Sequence, residues 1–166
     1  MIKIGKSASN ISVYSCQPKD KDELKKIIED RIKQEGPNCD LNDIDTSLIT
    51  DMSSLFSYSV FNGDISKWDT RNVENMYEMF INSDFAGDLS KWNVSKVDNM
   101  AYMFEFSKFN GDISNWNVSN VQDMSGMFAY SVFTGDISKC KIREDCNIDA
   151  MFKNCPIKEE FKPKIF

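Results

Sequence analysis

A chain of 166 residues with 41% hydrophobic and 28% charged side chains has material for one globular domain, and its composition is neither that of a disordered chain nor that of a membrane-embedded one. The formal charge of −6 is concentrated in residues 63–134, with ten acidic against five basic side chains, and such a surface disfavours direct binding of nucleic acid or of an anionic membrane. Histidine is absent, which excludes a His-containing triad and the commonest general base; no phosphate loop, dinucleotide fingerprint or zinc-protease motif occurs either.

The start, Met1-Ile2-Lys3-Ile4-Gly5-Lys6, is charged but is not followed by the apolar run that a secretory signal needs. The expectation is a cytoplasmic chain, exposed at a surface only if an export signal has been removed. Ile11, Val13 and Tyr14 predict a short strand. Next, Asp20 and Glu23 have the spacing of a capping box, Leu24, Ile27, Ile28 and Ile32 form one apolar stripe, and Gly36-Pro37 stop the chain, which predicts an amphipathic helix over 20–35. Residues 1–38 read as an N-terminal cap.

From residue 39 the sequence repeats every 24 residues. Trp68, Trp92 and Trp116 keep this step; so do Met52, Met76, Met100 and Met124, and the phenylalanines at 56, 80, 104, 128 and 152 and at 61, 85, 109 and 133. Gly63, Gly87, Gly111 and Gly135 repeat in phase, each followed by Asp. A degenerate copy begins at Cys39 and a decayed one runs from Gly135 to about residue 158, where Cys140 stands in the tryptophan column. One unit cannot bury its apolar face alone, so the units must stack, Trp on Trp and Phe on Phe. The expected fold is an α/β repeat solenoid: a short, right-handed, leucine-rich-repeat-like array of about five coils over 39–158, closed by a tail over 159–166.

Within a unit, Leu89-x-x-Trp92-x-Val94 fits an L-x-x-L-x-L strand with alternate residues inward, which predicts a parallel sheet roughly 20 Å wide at about 4.8 Å per strand. Val97, Met100, Met103 and Phe104 fall on one face of a short helical or 3₁₀ segment, and Gly111 in the return is expected to take a turn conformation that other residues resist.

With this unit in view, FNGDISKWDTRNVENMYEMF at 61–80 and FNGDISNWNVSNVQDMSGMF at 109–128 resemble the BspA-like leucine-rich repeat family of bacterial surface proteins and lipoprotein repeats. The resemblance covers residues 39–155. It implies a solenoid and an adhesive or protein-interaction role, and it carries over no catalytic residue. Relatives are commonly exported and long; this array is short, with a cap expected at each end.

Two chemical readings compete with plain structure. The Asp64, Asp88, Asp112, Asp136 column could form an acidic calcium ladder, but one Gly-Asp per 24 residues is sparse for that, and carboxylates closing their own turns are the simpler reading. Cys16, Cys39, Cys140, Cys146 and Cys155 are odd in number and lack CxxC spacing, which favours free thiols over a disulfide or metal among the last three. No metal or other cofactor is expected.

The function expected is therefore non-enzymatic binding of a protein by a monomer. A sharper version is a small phage-type inhibitor, like those directed against CRISPR effectors, docking an acidic surface on a basic nucleic-acid-processing enzyme; another is a bacterial surface adhesin. The candidate contact is the outward strand face, which grades from acidic to basic: Asp43, Lys67, Lys91 and Lys139 in one column; Asp45, Asp69, Asn93, Asn117 and Lys141 in the next; Arg71 and Arg143 in the third. Tyr58, Tyr77, Tyr102, Phe106 and Tyr130 fall on the opposite, helical and return side as alternative anchors.

Overall fold

The computed structural model describes residues 14–165. The expected strand at Ile11 and Val13, and Phe166 of the tail, lie outside them. Helix α1, Lys21–Glu35, matches the expectation closely. Asp20 Oδ1 accepts from the Glu23 N–H at 2.9 Å, which satisfies one of the amides that a helix start leaves orphaned, and Glu23 Oε2 accepts from the Lys19 N–H just before the cap at 3.0 Å. Gly36, at φ 91°, ends the helix and donates to the Ile32 carbonyl. Leu24 and Ile28 are fully buried against the first unit, with Ile27 and Ile32 beside them.

Beyond α1 the chain is held together by contacts at the repeat distance. Parallel single-residue bridges join Asp51 to Asn75, Asn75 to Asn99, Asn99 to Asp123 and Asp123 to Asn147, and another joins Asp40 to Asp64. The ladder is extended at both ends. Cys16 pairs with Ile44 in front of the first unit, and β1, Lys141–Ile142, pairs in parallel with β2, Lys164–Ile165, behind the last. The tail therefore does lie against the final unit, where Ile137 N–H also donates to the Phe161 carbonyl at 3.0 Å.

Two expected elements are replaced by turns. The segment 89–94 is not a strand: the Trp92 N–H donates to the Leu89 carbonyl and the Val97 N–H to the Val94 carbonyl, three residues back, and these bends leave no extended run. The segment 97–104 is not a helix. Met76, Glu78, Phe80 and Asn82 donate to the carbonyls of Asn99, Ala101, Met103 and Glu105 in the next unit, while Met79, Ile81 and Ser83 donate three residues back within their own. Met100, Tyr102, Phe104 and Phe106 repeat the pattern onto 123, 125, 127 and 129. Successive three-residue turns bring residues i and i+3 to one side, as a helix does, so the apolar spacing is the same while the hydrogen bonds run between units.

This alternation needs a left-handed residue twice per unit. Ser54, Glu78, Tyr102, Gly126 and Ala150 form one column of positive φ, and Tyr58, Asn82, Phe106, Tyr130 and Asn154 form the other, all between 49° and 60°. Each non-glycine residue so held costs on the order of 1 kcal/mol, asparagine less than most.

The interior is a spine of rings. Phe56, Phe80, Phe104, Phe128 and Phe152 stack with centroids 5.4 to 5.9 Å apart, and Phe61, Phe85, Phe109 and Phe133 stack 6.1 to 6.4 Å apart beside them. Trp68 and Trp92 are parallel at 6.3 Å. Each indole N–H is satisfied in the core: Trp68, Trp92 and Trp116 donate to the carbonyls of Leu41, Ile65 and Leu89 at 2.9 to 3.1 Å. The spine also explains the glycine column, though not as expected. Gly63, Gly87, Gly111 and Gly135 are not among the positive-φ residues; a Cβ on any of them would stand 2.7 to 2.9 Å from the ring of the phenylalanine two residues earlier. Room for that ring, and at Gly63 also for the Cys39 carbonyl that such a Cβ would strike, is what selects glycine.

All five cysteines are free thiols. Burial raises the pKa of Cys39, Cys140 and Cys146, which keeps these three protonated and unreactive at neutral pH.

Trp92 is 4% exposed at the middle of its column. Trp92→Ala should lower stability by about 3–5 kcal/mol in chemical denaturation, and a loss under about 1 kcal/mol would mean the column is not core.

Candidate interaction surface

Each unit turns at points closed by an Asp or Asn side chain that accepts from the backbone N–H two residues on. Asp40, Asp64, Asp88, Asp112 and Asp136 form the first such column, at 2.8 to 2.9 Å. Asp45, Asp69, Asn93 and Asn117 form the second, at 3.0 to 3.2 Å. Asp51, Asn75, Asn99, Asp123 and Asn147 form the third, at 2.8 to 3.1 Å. The first column is the one a calcium ladder would use, and its carboxylates are occupied as turn closers. Among the described residues no group of three or more Cys, Asp or Glu side chains is arranged to hold a metal ion.

The same accounting changes the standing of the expected contact face. Asp45 accepts from Gln17 Nε2 at 2.7 Å as well as from its own turn, and Asp69 is bound by Arg71 at 2.6 Å. Asp43 pairs with Arg31 of α1 at 3.1 Å. Its pKa is lowered, first by a hydrogen bond from Ser15 and then by Arg31; that of Asp69 is lowered chiefly by Arg71. Asn93 and Asn117 also accept from the hydroxyls of Ser95 and Ser119. The acidic end is thus half-buried and already paired within the chain. Lys67, Lys91, Lys139 and Lys141 stand exposed, the last on β1, and Arg143 is paired with Asp145. The columns are brought together along the ladder, but half of their members are spent on holding it.

The other face differs. Tyr58 is 71% exposed, Phe106 51% and Tyr130 39%, all three in one left-handed column. Phe106 and Tyr130 stack at 4.7 Å, and Lys153 Nζ lies 5.6 Å from the Tyr130 ring centre. Tyr77 and Tyr102 meet edge to face at 6.2 Å. The Tyr77 hydroxyl is hydrogen-bonded to Glu78, which, with burial, pushes its pKa up to about 12. Burial raises the pKa of Glu105, the neighbouring Glu78 raises it further, and Lys153 opposes both. Val60 and Val132, also exposed, border the face, and no sequence signal picked them out. Glu78 and Glu105 were equally invisible, because nothing in the repeat pattern places them beside the tyrosines.

The first Asp column has a measurable consequence. Hydrogen bonds from Ser66, Ser90, Ser114 and Ser138 lower the pKa of Asp64, Asp88, Asp112 and Asp136. A depressed folded pKa stabilises the fold above the unfolded value of about 3.9 and loses that contribution as pH falls through the folded value, so the melting temperature should drop below about pH 4. Asp88→Asn keeps the acceptor and should be close to neutral at pH 7, whereas Asp88→Ala should cost about 1 kcal/mol. Equal losses for both, or a melting temperature raised by calcium, would contradict the turn-closing role.

Among the described residues no helix is long and apolar enough to cross a membrane. The sequence profile of a family described as Mycoplasma protein of unknown function, DUF285, matches residues 23–128 and, overlapping, 82–164. No curated protein and no solved structure matches the chain.

Proposed function

The chain belongs to the DUF285 family, and from that premise we propose that it is a short, right-handed, leucine-rich-repeat-like solenoid of the BspA-like kind acting as a non-enzymatic protein-binding module. The observation that carries this reading is the contrast between its two kinds of polar group. The interior and the turns consume most of their donors and acceptors in repeats of themselves, leaving exposed lysines in one set of columns and exposed aromatics in another. A rigid ladder with unspent side chains in register offers shape and chemistry to a partner. Catalysis finds little support: the chain has no histidine, and no metal-holding cluster occurs among the described residues.

A basic nucleic-acid-processing enzyme is the partner class that the acidic middle of the chain favours, with ten acidic against five basic residues in 63–134. Neither the membrane nor nucleic acid itself suits that charge. The test is chemical crosslinking in the source cells, followed by direct binding measurements with each captured protein after purification. One of them should bind saturably, with an on-rate that slows when salt rises from about 0.05 to 0.5 M and the Debye length shortens from roughly 14 to 4 Å. If none binds saturably, the reading fails.

A further inference from the structure

The left-handed columns carry a selection that packing does not explain. In two units the second column holds asparagine, Asn82 and Asn154, the residue that tolerates this backbone best after glycine. In three units it holds Tyr58, Phe106 and Tyr130, aromatic rings for which this backbone is unfavourable and which remain exposed to solvent in part or in large measure. The stack of Phe106 on Tyr130 offsets only part of that strain, and Tyr58 makes no ring contact among the described residues, so the column points to something outside the fold.

The charge beside them says what. Glu105 precedes Phe106 and is half-buried, with Glu78 as an electrostatic neighbour. Among the described residues its carboxylate has no hydrogen bond and no ion pair. The cation that acts on it electrostatically, Lys153, is placed over Tyr130. A partly desolvated carboxylate facing a like charge and lacking a direct ion pair can take a further cation, and a planar guanidinium suits it, pairing with carboxylates and lying on aromatic faces.

Resting on the protein-binding reading, we infer that the face built from Tyr77, Glu78, Tyr102, Glu105, Phe106 and Tyr130 is the docking surface, and that its occupant is a basic protein segment that places an arginine against Glu105 and the tyrosine pair. The expected lysine and aspartate columns are then periphery.

The test uses the whole chain, immobilised and panned with random peptides displayed on phage. Recovered peptides should be rich in arginine, and a synthetic copy of one should bind the wild type but lose at least tenfold in affinity to Glu105→Gln and to the double variant Phe106→Asn, Tyr130→Asn. Asparagine is the residue that the column itself uses at 82 and 154, so the double variant should melt at or above the wild-type temperature, which separates lost contact from lost fold. No enrichment, enrichment of neutral or acidic peptides, or unchanged affinity in these variants overturns the inference. Peptides that ignore these changes but are lost with Lys91→Ala and Asp69→Asn would leave the protein-binding reading standing and move the site to the other face. Wild-type partition onto phosphatidylcholine vesicles, absent in the double variant, would assign the rings to lipid instead and overturn it as well.

Discussion

A backbone amide buried without a partner is costly, and a chain whose described residues hold one α-helix, one 3₁₀ turn and two two-residue strands must satisfy its amides some other way. Here the constraint is met by strict periodicity. Glu78 N–H reaches the Ala101 carbonyl, and Tyr102 N–H reaches the Ser125 carbonyl, only because each unit has the same length and the same bends. Everything else follows from holding that register. The left-handed residues at 54, 78, 102, 126 and 150 point alternate amides towards the next unit, and the Asp and Asn side chains close the turns that keep each unit the same shape. The phenylalanine spine fills the space at a rise of roughly five to six ångströms per unit.

The ends show what the register demands. Cys16 stands in front of Ile44, and Lys164 stands behind Lys141, so that segments from outside the repeats supply pairing where the neighbouring unit is missing. Helix α1 covers the apolar section at the first unit with Leu24 and Ile28. At the last unit the tryptophan column ends in Cys140, a smaller side chain bordered by Trp116, Met127, Phe128 and Pro163.

The sequence displayed the period, the columns and the helix plainly, because Trp, Met and Phe recur in phase and because Asp20, Glu23 and Gly36 are strong boundary signals. It misled on what each unit is made of. Leu89-x-x-Trp92-x-Val94 alternates like a strand, and Val97, Met100, Met103 and Phe104 space like a helix, yet consecutive three-residue turns generate both patterns. The glycines looked like turn residues, whereas a ring two positions earlier excludes their Cβ. The candidate site was legible in part. Asp64-x-Ser66 and Asn93-x-Ser95 carry the spacing of side-chain-closed turns, which would have marked those columns as structural; the asparagines at 82 and 154 were the available hint that their aromatic column mates sit at positive φ.

What the account claims above all is that the amides of the long segment of each unit bond between units rather than along a helix. Through-hydrogen-bond scalar couplings in solution report this directly. They should connect the amide nitrogens of Met76, Glu78, Phe80 and Asn82 to the carbonyl carbons of Asn99, Ala101, Met103 and Glu105. Couplings from those nitrogens to carbonyls four residues earlier in the chain, the signature of a helix, would contradict it.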